Sequence, residues 1–495
     1  MELMSGRELR AWLGLPALLI ALFPGACTVG PDYVRPDAPV PVKYKELKGW
    51  KQATPSDDVD RGAWWSVFKD EKLDTFESQV ELSNQTVAAA EAAYRQSLAI
   101  IEEAQAGLFP AVNFNYAVTG SHFGRRAIGS GLGTGITKTV STVSASASWS
   151  PDLWGKIRRM IESDVAAAQV SAGELANAKL STQAMLATAY YNLRAADALQ
   201  ALLHRTAAAY KRTLEITQHQ YDAGTVSKAD VDTALAQLLN TQAMEIGVGV
   251  SRAQFEHAIA ALMGKPPADL TIPSIPLGYR LPDIPVGVPS SLLERRPDVA
   301  AGERAMQQQN ALIGAAIALY YPDVSLTGMF GFTGVGALAL TLANEVWTIG
   351  GTVVQAVFDA GLRDAQVEAA LASYKQSVGN YRQTVLTAFQ QVEDQLAAVR
   401  ILARQQRVAE AAVKAAREEV DILLNQYREG TVAFTAVVVA QATLLNDEQS
   451  ALTVRQNRFL ATVALIQALG GGWSSALLPS ARALATRNPL IPDLQ

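Results

Sequence analysis

The chain of 495 residues holds one cysteine, Cys27, so no disulfide can form within it and no cysteine-based zinc site can be assembled. Long apolar runs are missing too. Apart from residues 12–26, nothing approaches the ~20 residues of a membrane-spanning helix, so any further crossing of a bilayer must use strands. Basic charge is neither in excess nor concentrated: 42 Lys and Arg against 47 Asp and Glu leave a net charge of -5, which excludes a nucleic-acid binder. Catalytic signatures are absent as well. His122, His204, His219 and His257 have no metal-ligand spacing, and the glycines at 129, 131, 133 and 135 precede neither the Lys-Ser/Thr pair nor the helix of a phosphate loop. No enzyme activity, cofactor or metal is expected, and acidic residues along helical stretches read as solvated faces.

What is present is a duplication. The 110 residues from Gly155 to Gly264 recur without a gap as Gly361 to Gly470. Gln220-Tyr221-Asp222-Ala223-Gly224-Thr225-Val226 returns as Gln426-Tyr427-Arg428-Glu429-Gly430-Thr431-Val432, and Leu238-Leu239-Asn240 as Leu444-Leu445-Asn446. Upstream, Gly107-Leu108-Phe109-Pro110 matches Leu319-Tyr320-Tyr321-Pro322 with six more residues of offset, so the halves differ in length only between residues 110 and 155. One unit was copied, and its variable part is a loop between strands.

The N-terminus has the pattern of an export signal over residues 1–26: Arg7 and Arg10, the apolar run from Trp12 to Phe23, then Pro24-Gly25-Ala26. Cys27 directly after it is a candidate lipidation site. Residues 27–65 carry prolines 31, 36, 39, 41 and 55 and read as a lipidated tether, able to reach up to roughly 100 Å from its anchor.

Residues 66–264 form the first repeat. Leu73 to Ala106 lacks Pro and Gly and favours helix. Two segments of alternating polarity follow, about 111–120 and 139–150, with Asn113, Asn115, Ser144, Ser146 and Ser148 on polar faces. A helix over 156–221, ~100 Å long, carries small or apolar residues at seven-residue spacing: Leu175, Thr182, Ala189, Ala196, Leu203, Tyr210 and Thr217. After a turn, 228–263 returns as a helix of half that length. An inter-repeat linker, the equatorial region, spans 265–289, and 290–473 repeats the order: helix 290–318, strands about 323–332 and 347–357, long helix 362–428, then helix 434–469. Residues 474–495 are a C-terminal tail.

Four strands cannot close a barrel, and an open sheet edge is not viable in lipid. Two copies would give eight strands around a side-chain-filled interior, three would give twelve around a water-filled one, and the polar faces favour three. Phe109, Trp149, Trp154, Tyr320, Tyr321, Trp347 and Phe358 fall near strand ends, where an interfacial aromatic girdle belongs. The expected fold is mainly α with a transmembrane β part, two tandem repeats whose strands three copies would close into a 12-stranded barrel beside a wall of long helices.

Charges gather beside the two turns. Tyr221, Asp222, Asp230 and Asp232 flank the first, and Tyr427, Arg428 and Glu429 the second. In a trimer each becomes a ring of three around the duct's free end, a geometry that concentrates field and can gate passage. Helix capping and turn solubility are the alternative reading of Asp222 and Asp230.

Three motifs carry a resemblance: Cys27-Thr28-Val29-Gly30-Pro31-Asp32-Tyr33-Val34-Arg35-Pro36, then Trp64-Trp65 with Phe68, then Leu292-Leu293-Glu294-Arg295-Arg296-Pro297-Asp298-Val299. With them the chain resembles, to about Trp473, the outer-membrane efflux factor family of TolC-type ducts, in its lipoprotein branch of OprM and NodT type. That resemblance implies a homotrimer in the bacterial outer membrane, lipid-anchored at Cys27, with a trimeric 12-stranded β-barrel continued by a long periplasmic α-helical barrel. It implies docking to a periplasmic adaptor (membrane fusion) protein and an inner-membrane efflux pump of the resistance-nodulation-division type. The cargo would be small toxic molecules, including antibiotics. It also places Tyr427 and Asp230 in the contacts that hold the closed end together. The family's usual acids on the second outgoing helix fall here on Val439 and Ala436. A structural envelope-spanning scaffold without conductance is the alternative function.

Overall fold

A computed structural model of the chain describes residues 28–38, 40–41, 43–46, 63–124, 136–278, 280–282, 294–336 and 341–485. The signal segment, Cys27, the glycines at 129–135, part of the linker and residues 486–495 lie outside them.

After a 3-10 turn at Trp64–Phe68, the order is α1 (Glu71–Ser83), α2 (Gln85–Ala106), β1 (Ala111–Phe123), β2 (Ile136–Trp149), α3 (Lys156–Asp222) and α4 (Lys228–Leu262). Then come α5 (Pro297–Ala318), β3 (Asp323–Val335), β4 (Glu345–Val354), α6 (Leu362–Arg428), α7 (Phe434–Ala468) and the short α8 (Ala481–Ala485). The duplication is literal at this level: α3 and α6 have 67 residues each, and α4 and α7 have 35 each. Both long helices start after a glycine in the left-handed region, Gly155 at φ 79° and Gly361 at φ 86°, where residues with a Cβ are strained.

The single helix expected over Leu73 to Ala106 is two. Asn84 adopts an extended conformation, and its side-chain oxygen accepts from the amides of Thr86 at 2.9 Å and Val87 at 3.1 Å, capping α2. Its Nδ2 donates to the Leu262 carbonyl at 2.7 Å, and Ser83 Oγ donates to the Met263 carbonyl at 2.7 Å. The break therefore serves a joint, in which otherwise orphaned carbonyls at the end of α4 are satisfied by Ser83 and Asn84, the residues between α1 and α2. In the second repeat the helix expected over 290–318 is interrupted as well: Glu294 and Arg295 are helical, Arg296 is extended, α5 starts at Pro297, and buried Arg296 donates to the Ala468 carbonyl at 3.1 Å. The same joint is built twice with different chemistry.

End-to-end stacking makes a wall four helices wide. In its upper half the order is α2, α3, α5, α6; in its lower half it is α4, α3, α7, α6. Of the seven positions at heptad spacing on α3, Thr182, Ala189, Ala196, Leu203, Tyr210 and Thr217 are buried and Leu175 is half-buried, so this face is the inner seam of the wall. The largest core sits at mid-height, where Trp64 and Trp65 pack with Tyr190, Tyr191, Phe459 and Met263. One acid there departs from the solvated-face expectation: Asp197 on α3 is 0% exposed, held by Arg252 at 2.8 Å and Arg194 at 3.2 Å. It also accepts from the Ile275 amide at 3.0 Å, which ties the linker down.

Candidate functional site

The strands form one antiparallel sheet in the order β1-β2-β3-β4, in constant register, with β1 and β4 as edges. β1, β2 and β3 are longer than expected, at 13, 14 and 13 residues, whereas β4 has 10, starting at Glu345 and ending at Val354, short of the expected residue 357. Register decides which residues share a face. Asn113 pairs with Ser146 and Asn115 with Ser144, and β3 continues that face with Thr327, Met329 and Thr333. The opposite face carries Val112, Phe114, Tyr116, Phe330, Trp347 and Ile349, all exposed, with Phe114 at 75% and Ile349 at 81%. A sheet with one apolar exposed face, one hydroxyl- and amide-bearing face and two unpaired edges is not a finished soluble structure.

Where strands meet helices the expected aromatic residues do specific things. Trp154 stacks on Tyr321 with centroids 4.9 Å apart and donates to the Pro322 carbonyl at 2.7 Å. Trp149 donates to the Leu108 carbonyl at 2.9 Å, and Tyr320 bonds Asp364. Trp347 lies instead on the apolar face within the sheet, in one row with Phe330 and Phe114. The first described residues dock at this junction: the Val29 amide donates to the Trp154 carbonyl at 3.2 Å, and Thr28 lies against Gly155. Buried Arg159 then holds the Val29 and Gly30 carbonyls and the Asp32 carboxylate, each at 3.1 Å. Further along, Asn310 donates to the Pro31 carbonyl, Arg35 pairs with Glu303, and Glu393 accepts from the amides of Lys45 and Glu46. The described residues between 28 and 46 are a strap laid from α3 across α5 and α6.

At the far end, Asp222, Asp230, Asp232 and Arg428 each have a partner within one turn of their own helix end. Asp230 closes a capping box with Ser227: its Oδ2 accepts from the Ser227 amide at 3.0 Å and hydroxyl at 2.7 Å, while Ser227 Oγ accepts from the Asp230 amide at 3.3 Å. Asp222 accepts from Gln218 at 2.8 Å, Asp232 pairs with Lys228 at 2.8 Å, and Arg428 donates to Asn425 at 3.3 Å. Glu429 is the C-cap of α6 and is exposed, and Tyr221 is 40% exposed. Tyr427 alone is buried. Its hydroxyl donates to Thr217 Oγ1 at 3.3 Å, its ring lies 5.3 Å from that of Phe434, and burial pushes its phenol up from the ordinary value, with Asp230 adding to the shift. Tyr427 and Asp230 both line one open cavity that also touches Gln220 and Phe434. Val439 is 65% exposed, and Ala436 is half-buried.

What joins the two turns is a seam that charge-based reading passed over. Gln441 Nε2 donates to Thr213 Oγ1 at 3.0 Å, Tyr210 donates to the Gln441 carbonyl at 3.1 Å, and Phe434 packs with Val437, Ala234 and Tyr427. Tyr210 and Thr217 stood in the heptad series, so periodicity carried the signal. Tyr427→Phe should cost only about 1 kcal/mol, the net worth of one neutral hydrogen bond. Phe434→Ala should cost about 3–5 kcal/mol and part the two hairpins. Thermal midpoints of the purified variants check this; equal losses would mean that Tyr427 has a charged partner outside its own protomer.

The sequence profile of the outer membrane efflux protein family matches residues 77–265 and 288–471, the bulk of both repeats. Among curated relatives, outer membrane protein OprJ of Pseudomonas aeruginosa is 29% identical over 472 residues, covering 93% of this chain and 96% of its own length. Nodulation protein T of Rhizobium leguminosarum bv. viciae is 28% identical over 485 residues, covering 95% and 96%. Among solved structures, the outer-membrane channel OprN superposes with a TM-score of 0.82 at 27% identity, over 90% of this chain and 100% of that one. The Campylobacter jejuni CmeC outer membrane channel shares the fold, with a TM-score of 0.84 at 22% identity over 92% and 97%. With both repeats matched and the channel fold recovered over nine-tenths of its length, the chain belongs to the outer membrane efflux protein family.

Proposed function

We propose that the chain is the outer-membrane channel component of a tripartite efflux system, a passive trimeric duct for small toxic molecules. One observation carries the reading: a four-stranded sheet with an exposed apolar face and both edges unpaired, mounted on a helical wall of 67-residue helices about 100 Å long. In hydrocarbon each unpaired edge group costs several kcal/mol, so the edges must meet those of further copies. Three copies of four strands make a closed barrel of twelve, apolar outward and Asn/Ser/Thr-lined inward. The helical wall continues that barrel into the periplasm. Its free end, with Tyr221, Asp222, Asp230, Asp232, Tyr427, Arg428 and Glu429, is the gate and the end offered to a periplasmic adaptor protein. Energy and substrate choice belong to an inner-membrane pump, of the resistance-nodulation-division type, because a water-filled duct binds nothing tightly.

Two measurements test this. The detergent-solubilised protein should have the native mass of a trimer and conduct ions in planar bilayers; a trimer that never conducts would leave an envelope-spanning scaffold. Lipidation at Cys27 has its own support in the strap, which brings residue 28 to the aromatic junction between strands and helices. Mass spectrometry of the mature N-terminus should find a fatty-acylated Cys27, and an unmodified thiol there would rule the anchor out.

A further inference from the structure

We infer that the free end of the sheet is a cationic mouth, in which Lys138 of each copy faces the lumen and biases passage toward anionic solutes. The inference rests on the trimeric duct proposed above. The helical wall joins the sheet at Ala111, Trp149, Asp323 and Val354, so Phe123, Ile136, Val335 and Glu345 mark the end remote from it. Lys138 pairs with Ser121 there, two residues inside the start of β2. Side chains alternate along a strand, and Lys138 stands an even number of steps from Ser144, Ser146 and Ser148. It therefore shares the face of Asn113 and Asn115, inward in a closed barrel, and not the face of Phe114 and Trp149.

Two observations give the mouth its sign. Among the described strand residues, alternation puts only two charged side chains on the inward face: Lys138 near the free end, and Asp323 at the foot of β3 against the wall. Lys138 is exposed, and none of the described residues pairs with its ammonium group. The sequence around it is one-sided. From residue 104 to residue 151 there is no Asp or Glu, and the segment joining β1 to β2, outside the described residues, adds Arg125 and Arg126. The sequence from 336 to 344, between β3 and β4, holds no charge at all. Glu345 is the only acid from 324 to 354, and it pairs with Phe332 on the opposite, apolar face. In a chain with a net charge of -5, this end is a local excess of positive charge.

Rotation about the duct axis sets the three lysines at one height. Four strand spacings, widened by tilt, separate neighbours by roughly 20–25 Å around the wall. Their reach depends on salt: the screening length is about 30 Å at 0.01 M, where the three fields overlap across the opening, and about 3 Å at 1 M, where each lysine acts alone. A ring of like charge in water raises the local concentration of counter-ions without binding any of them. Anionic solutes are thereby favoured at release, and multiply charged cations outside are repelled. The pump still chooses the cargo, and the mouth biases its exit.

A thiol on the same face reads this field locally, whatever the state of the periplasmic end. Thr119 pairs with Val140 on the inward face, about 7 Å below Ser121. The Thr119→Cys thiol in the purified trimer is reacted with methanethiosulfonates carrying a sulfonate or a trimethylammonium group, with rates normalised to a free thiol in solution. The parent, whose one cysteine is Cys27, supplies the background. Adding Lys138→Gln should lower the ratio of anionic to cationic rate about twofold at 0.1 M salt, more at 0.01 M, and not at all at 1 M. Lys138→Glu should lower it further. Ser325→Cys, inward at the foot of β3, should show no response to either change at 0.1 M salt. A native trimer whose Thr119→Cys ratio is indifferent to Lys138→Gln and Lys138→Glu overturns the cationic mouth and leaves the duct standing. If neither thiol reacts with either reagent, or the native mass is that of a monomer, the water-filled duct fails and the mouth fails with it.

Discussion

Replacing Glu77 with Gln should make the protein more stable at pH 8 and leave it nearly unchanged at pH 5. Glu77 on α1 is 0% exposed, and no described residue bonds either carboxyl oxygen. Burial first, and the neighbouring Asp74 carboxylate second, push its carboxyl up to about 9. The acid is therefore neutral in the folded protein at neutral pH, whereas in the unfolded chain it ionises above its ordinary value of 4.5. Between those two values the folded state binds the extra proton, so stability falls as pH rises from 4.5 and levels off above about 9. At pH 8 the cost is at most about 5 kcal/mol, less whatever local relaxation and water entry recover. Glutamine keeps the shape and removes the titration, and Glu77→Met should stabilise further by removing the unpartnered polar atoms. Thermal midpoints of parent and variants at pH 5 and pH 8 are the measurement. If the difference between Glu77→Gln and the parent is the same at both pH values, Glu77 is ionised in the folded state and has a partner.

The architecture was legible where it repeats. The two 67-residue helices, their turns at Gly224 and Gly430, and the alternation that becomes the two faces of the sheet all rest on local signals: period, glycine and polarity. The break at Asn84 was not legible, because an uninterrupted helix-favouring composition surrounds it, and the reason for it lies 178 residues away in the Leu262 carbonyl. The strap misled for a related reason. Proline content says that residues 28–46 are extended, but only the fold brings Arg159, Asn310, Glu303 and Glu393 to the line on which they lie. At the free end, charge drew attention to Asp230 and Arg428, whose groups are occupied within a turn of helix. Buried contacts there come from Phe434, Thr213 and Gln441, residue types that announce nothing in a sequence. Tyr427 was found because it sits in the duplicated turn, and its place in the core follows from packing against the other repeat.

The joints between stacked helices should be the most sensitive points in the chain, and four glycines separate the possible causes. Gly224, Gly264, Gly430 and Gly470 all have positive φ, at 75°, 67°, 76° and 93°, and each follows the end of a long helix. Any residue with a Cβ is strained there by about 1–2 kcal/mol. At Gly224 and Gly430 an added Cβ meets nothing within 4 Å, so alanine should cost that strain and no more. At Gly264 the same atom would lie 2.1 Å from the Ser83 carbonyl oxygen, and at Gly470 it would lie 2.0 Å from that of Arg295. Both oxygens belong to backbone just ahead of a helix N-cap and cannot swing away without lifting α2 off α4, or α5 off α7. Gly264→Ala and Gly470→Ala should therefore lose several kcal/mol more than Gly224→Ala and Gly430→Ala, and give poor yields of assembled protein. The order of thermal midpoints across the four single variants decides it. Four equal losses would show that backbone strain alone sets the cost and that the stacked joints yield easily; two large and two small losses place the stiffness of the wall at mid-height, where each half-length helix abuts the next.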